Sequence, residues 1–90
     1  MERTAGKNAE SELYRGWVLY KRGYLKSAVE AFDRSIALSP TYSYAFKLRG
    51  RAKAELDNTS EALADFNRAL TMGDSEAQEW IDRYSSPKNR

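Results

Sequence analysis

Arg15-Gly16, followed by Ala28-Val29-Glu30-Ala31-Phe32-Asp33-Arg34-Ser35-Ile36-Ala37-Leu38, returns 34 residues later as Arg49-Gly50 and then Ala62-Leu63-Ala64-Asp65-Phe66-Asn67-Arg68-Ala69-Leu70-Thr71-Met72. Laid over residues 43–76, residues 9–42 share five identities: Arg15/Arg49, Gly16/Gly50, Ala28/Ala62, Phe32/Phe66 and Arg34/Arg68. Val29/Leu63, Ser35/Ala69, Ile36/Leu70 and Leu38/Met72 keep size or polarity where a second helix of each unit would face a core. A period of this length is one helical hairpin, and stacked hairpins bury a continuous core that none of them could build alone.

Working outward, Gly, Pro and Asx clusters mark the turns: Lys21-Arg22-Gly23, Ser39-Pro40-Thr41, Asp57-Asn58-Thr59 and Gly73-Asp74-Ser75. The segments between them are rich in Ala, Leu, Glu, Lys and Arg with a period near 3.6, which predicts five helices over residues 10–22, 25–38, 42–56, 60–72 and 75–84. Asn58 with Glu61, and Ser75 with Gln78, have capping-box spacing, while Gly73 can take the left-handed conformation that closes the fourth helix. Tyr24 is a poor cap for the second helix. Ala77, Trp80, Ile81 and Tyr84 form a single apolar stripe, as expected of a capping helix over residues 75–84 that ends the array. The expected organisation is thus repeat 1 over 9–42, repeat 2 over 43–74 and the cap, with polar, flexible ends at 1–8 and 85–90.

Composition narrows the function. Ninety residues, 41% hydrophobic and 31% charged, describe one domain. With neither cysteine nor histidine the chain lacks disulfides, thiolate metal sites and the commonest general base, and the sequence implies no cofactor and no metal. Glu30/Asp33 and Glu61/Asp65 pair acids at helical spacing, but without a phosphate loop or histidine beside them they read as solvated helix faces, so no enzymatic activity is expected. Arg15, Arg34, Arg49 and Arg68 recur with the period, yet a net charge of only +2 and interspersed acids argue against nucleic acid as a partner. No apolar run is long enough for a membrane span, and residues 1–12 lack a signal-peptide core; a cytoplasmic location is expected.

These positions resemble the tetratricopeptide repeat family in its Arg-Gly variant, over residues 9 to about 84. The family's small residue of the first helix matches Gly16 and Gly50, that of the second helix Ala28 and Ala62, its aromatic Phe32 and Phe66, its later small position Ser35 and Ala69, and its closing proline Pro40. Departures stand at Glu12 and Arg15, where the family often has Trp and Leu, so Tyr14, Val18 and Leu19 are expected to pack the first helix instead. Asp74 stands in place of a second closing proline, and Lys53 is expected to lie over Leu56.

The resemblance implies an all-α, right-handed superhelix of helical hairpins, here two repeats plus a C-terminal capping helix, whose first helices line a concave groove for an extended peptide or a partner helix. Carried over position by position, that groove is Leu13, Trp17, Tyr20 and Lys21, then Tyr44, Lys47 and Arg51, then Gln78, with Glu10, Ala54 and Glu55 alongside. Lys47 and Arg51 are like charges one helical turn apart, unfavourable unless something anionic answers them. An acidic protein or peptide partner with an apolar anchor would suit this lining. Trp17 has three readings: packing on the neighbouring hairpin, anchoring a ligand, or self-association, the last making the chain a homodimerising module. The carboxylate clamp of family members that bind the large heat-shock chaperones would fall on Leu13, Trp17, Leu48, Gln78 and Asp82, none of which matches it, so that ligand is disfavoured.

Overall fold

The structure is a computed structural model and describes residues 8–85. Five helices follow one another: α1 (Ala9–Lys21), α2 (Leu25–Leu38), α3 (Ser43–Glu55), α4 (Thr59–Thr71) and α5 (Ala77–Ser85). There is no strand among the described residues. Each helix packs on the next, and α3 also touches α1 and α5, so the odd-numbered helices line one side of the molecule. This is the all-α stack of hairpins that the 34-residue period requires.

The two glycines of the period explain its spacing. A Cβ built on Gly16 would stand 2.6 Å from the Phe32 ring, and one on Gly50 would stand 2.7 Å from the ring of Phe66. In each hairpin the aromatic ring of the second helix therefore lies directly against bare backbone of the first. Phe32 and Phe66 are fully buried in consequence. Phe32 shares its cluster with Leu13, Ala28, Ala45, Leu48 and Ala52, so one core runs from the first hairpin into the second. Phe66 shares the next with Phe46, Ala54, Ala62, Ala69 and Ala77, and its ring stacks with Trp80 and Tyr84 of α5 at 6.1 and 6.0 Å. Tyr84, standing one period beyond Gly50, covers the last aromatic of the array with its ring.

The helix ends are built alike. After α1 the amide of Tyr24 reaches back to Leu19 O at 2.9 Å, after α3 that of Asn58 to Lys53 O at 2.9 Å, and after α4 that of Asp74 to Ala69 O at 3.0 Å. In each case the preceding residue has a positive φ: Gly23 at 87°, Asp57 at 68° and Gly73 at 103°. These are Schellman closures, and Gly73 takes the conformation its sequence position suggests. Tyr24 indeed caps α2 with no side-chain bond.

Several local expectations need correction. Asn58 makes no side-chain cap; its backbone amide is given to Lys53 O in the closure of α3, and Glu61 pairs with the Lys53 ammonium at 3.1 Å. The last helix starts at Ala77 rather than 75: the Asp74 carboxylate, not Ser75, accepts the backbone amide of Glu76 at 3.2 Å, and Gln78 turns to Asp82 at 2.9 Å. A capping box does form where none was expected, at Asn8 and Ser11 of α1. Tyr14 does not pack α1, being 68% exposed, and Val18 is outside the core clusters; Leu13, Gly16 and the buried Glu12 hold α1 down, with Leu19 as expected at the edge. The reason is angular: α1 meets only α2 and α3, and Tyr14 and Val18 lie on the flank that neither covers. Of the ends expected to be flexible, Asn8 caps α1 and Ser85 lies in α5, while 1–7 and 86–90 lie outside the described residues.

The acids are not all solvated. Asp65 is buried and takes a two-pronged hydrogen bond from Arg49, Nε to Oδ2 at 2.9 Å and Nη2 to Oδ1 at 2.8 Å, while Arg49 Nη1 reaches Asp33 of α2 at 2.7 Å. The Asp65 bond, assisted by Asp33 and opposed by burial, holds the Arg49 guanidinium above its ordinary pKa. Glu12 likewise receives Arg34 Nε at 3.0 Å, with Arg15 at 3.7 Å. Three of the four periodic arginines thus neutralise carboxylates within the chain, and Arg68 lies over the Phe46 ring at 5.5 Å.

Candidate functional site

The face formed by α1, α3 and α5 carries a ladder of flat groups. On α1, Trp17 and Tyr20 are one helical turn apart and stack at 5.4 Å with 16° between ring planes. Arg51 of α3, one period after Trp17 and therefore beside it, lies 5.5 Å from Trp17, 5.3 Å from Tyr20 and 4.4 Å from Trp80 of α5. Lys21 stands 5.3 Å from the Trp17 ring at one end and Arg83 4.6 Å from Trp80 at the other. Cations over aromatic faces each contribute roughly 0.5–1 kcal/mol where exposed, and more where water is excluded. The order Lys21, Trp17, Tyr20, Arg51, Trp80, Arg83 joins the three helices.

The positive members of this ladder form no direct ion pair: Lys21, Arg51 and Arg83 touch no carboxylate among the described residues, although Glu55 is bonded to the same Tyr20 hydroxyl on which Arg51 acts. Arg51 Nε is buried without a hydrogen-bond partner. Such an orphaned donor is uncommon in folded proteins, and because it is closed to solvent an outside acceptor would meet the other guanidinium nitrogens of Arg51. The Tyr20 hydroxyl is engaged, donating to Glu55; burial and that bond raise its pKa, partly offset by the charge of Arg51.

Lys47 differs from Arg51, its neighbour one turn away. Only 4% exposed, it donates to Glu76 and pairs with Asp74 at 3.1 Å, so the anion that answers this charge comes from the α4–α5 turn of the same chain. Burial alone would lower its pKa, but the two carboxylates outweigh it and hold the ammonium above its usual value. Leu13 is likewise buried, Tyr44 is 46% exposed with Lys47 4.7 Å over its ring, and Gln78 is exposed at the start of α5. Of the residues singled out from sequence, Trp17, Tyr20, Lys21 and Arg51 come together in the ladder, while Lys47 is held by the α4–α5 turn and Leu13 and Tyr44 lie towards the N-terminal ends of α1 and α3.

There a cleft of about 270 Å³ opens between α1 and α3, lined by Glu10, Leu13, Tyr14, Trp17, Tyr42, Tyr44 and Leu48. Leu13 and Leu48 are buried and form its floor. Burial raises the Tyr42 hydroxyl's pKa, helped by the charge of Glu10 and by Tyr44. Trp80, Arg83 and Tyr42 escape a reading by repeat position. Trp80 sits at the Phe46 position of a shortened unit and reads as core, and Tyr42 sits in a turn; their roles depend on how α5 and the α2–α3 turn are placed.

A stack of antiparallel hairpins with glycine-to-phenylalanine contacts every 34 residues and its first helices side by side is the architecture of an α-helical repeat scaffold. Residues 9–42 match the tetratricopeptide repeat family and form such a repeat. No curated protein matches the chain. Tetratricopeptide repeats are protein-interaction modules, generally scaffolds rather than catalysts. Among the described residues no helix is long and apolar enough to cross a membrane.

Proposed function

We propose that the α1–α3–α5 face binds an extended segment of a partner protein, acidic in character and carrying an apolar anchor. The observation that carries this reading is the row of cations without a direct ion pair, Lys21, Arg51 and Arg83, interleaved with Trp17, Tyr20 and Trp80, with Arg51 Nε left without an acceptor. Aromatic and arginine side chains on a rigid face are the usual energetic centres of recognition. An acidic residue lying along the ladder would meet Arg51 directly, while an apolar side chain would find the Leu13 and Leu48 floor beside Tyr44. In this reading Lys47 shapes the face as a strut rather than meeting the ligand, and Gln78 lies at its edge. The module works by binding, with no catalytic residue and no cofactor, and its setting is cytoplasmic.

Fluorescence titration with acidic peptides containing one aromatic residue tests the reading. Arg51→Ala should weaken binding by about tenfold or more, with an affinity that falls as salt rises. Equal affinity for the wild type and Arg51→Ala would overturn it. Self-association through the α1 aromatics is the competing reading, favoured by the exposure of Tyr14. Sedimentation equilibrium over a hundredfold range of concentration separates the two, since a constant monomer mass rules out the dimer.

A further inference from the structure

The cleft at the α1 end of this face has a chemistry opposite to that of the ladder. Its walls are four aromatic side chains, Tyr14, Trp17, Tyr42 and Tyr44, its floor is aliphatic, and its one charged lining residue is Glu10. Glu10 forms no ion pair among the described residues. It lies near enough to Tyr42 for its charge to act on that hydroxyl. One of the cations closest to these rings is already neutralised. Lys47, over Tyr44, is buried against Asp74 and Glu76, and Lys21 and Arg51, over Trp17, belong to the ladder. An unpaired carboxylate at the rim of an aromatic cleft is complementary to a cation that can shed water without losing hydrogen bonds.

That last condition selects among cations. A primary ammonium carries three N–H donors and a guanidinium five, and each would need an aligned acceptor among Glu10 and the three tyrosine hydroxyls to replace its water. A quaternary ammonium has no donor to satisfy, and its methyl groups pack on ring faces while its charge remains. We propose that this cleft binds an N-methylated lysine side chain of a protein partner, its methylated nitrogen among Tyr14, Tyr42, Tyr44 and Trp17 and its charge met by Glu10. The assignment rests on the reading that the face takes a protein segment, and it identifies the apolar anchor of that segment as the aliphatic stem and methylated head of a lysine.

The test uses the whole chain with its two tryptophan indole N–H resonances, Trp17 in the cleft and Trp80 outside it. Tetramethylammonium chloride should shift the Trp17 resonance saturably and leave Trp80 in place, whereas sodium chloride at equal concentration should move neither. A trimethyllysine peptide should bind about tenfold more tightly than the same peptide with the uncharged tert-butyl isostere, the range expected of a partly desolvated cation–π site. Glu10→Gln, an exposed change near the start of α1, should weaken the trimethyllysine peptide about threefold or more without altering the isostere. Equal affinity for the two peptides, or a Trp17 response that sodium reproduces, overturns the proposal. If tetramethylammonium saturates the cleft while acidic peptides fail to bind, the cleft stands and the function proposed above falls; the reverse result removes the cleft alone.

Discussion

At the scale of single residues, Gly50 decides more than its size suggests. Helix propensity favours alanine over glycine by about 1 kcal/mol, so an exposed glycine in α3 would gain from Gly50→Ala. Here the new methyl would meet Phe66 at 2.7 Å and Ala62 O at 3.1 Å, and both belong to the tightly packed α3–α4 contact. Overpacking prevails: Gly50→Ala should lower stability by about 1–3 kcal/mol in denaturant unfolding. Asp57 has the opposite prospect. It holds the left-handed position that Gly23 fills one repeat earlier, with φ of 68°. Asp57→Gly should raise stability by about 0.5–1 kcal/mol, as the strain released exceeds the added freedom of the unfolded chain. The repeat glycines are legible from sequence because backbone contact leaves no other residue type; the left-handed Asp57 becomes legible only by aligning it with Gly23.

At the scale of elements, the hairpins are joined by charge as well as by packing. Arg49 grips the buried Asp65 on α4 and reaches Asp33 on α2, tying the second hairpin to the first. Removing the guanidinium leaves the Asp65 carboxylate buried with only Lys53, 3.9 Å away, to meet it. Arg49→Ala should therefore cost about 3–5 kcal/mol, and Arg49→Lys should recover only part, since an ammonium cannot make the parallel pair of hydrogen bonds. Thermal unfolding of both variants checks this. Asp65 reads as a solvated acid because its helical spacing from Glu61 carries no sign of burial. What buries it is the approach of α3, and Arg15 and Arg49, alike in sequence, find their carboxylates at different sequence offsets. The helices themselves were legible to within two residues at every end, because turn chemistry is local.

For the whole molecule, two hairpins and a helix make a short array, so the docking of α5 matters for all of it. Lys47 fastens the turn before α5 through Asp74 and Glu76, and its pKa is raised on folding, as are those of Tyr20 and Tyr42. All three groups hold their protons more tightly folded than unfolded. Their contribution to stability is complete below their unfolded values, near 10 for the tyrosines and 10.5 for the lysine, and is lost as pH climbs through the raised folded values. The melting temperature should accordingly fall above about pH 10, and Lys47→Met should flatten the alkaline limb. An unchanged limb in that variant would assign the loss to the tyrosines.

The sequence by itself determined the all-helical class, the 34-residue period, the turn positions and the pairing of small residues with aromatics, since each of these follows from local propensity or from identities one period apart. The tertiary structure decided which charges are free. Lys47 and Arg51 look alike on one helix, but the α4–α5 turn brings carboxylates to Lys47 and rings to Arg51. Sequence spacing cannot distinguish them, because the groups that neutralise one and stack on the other come from helices and turns that meet only when the array closes.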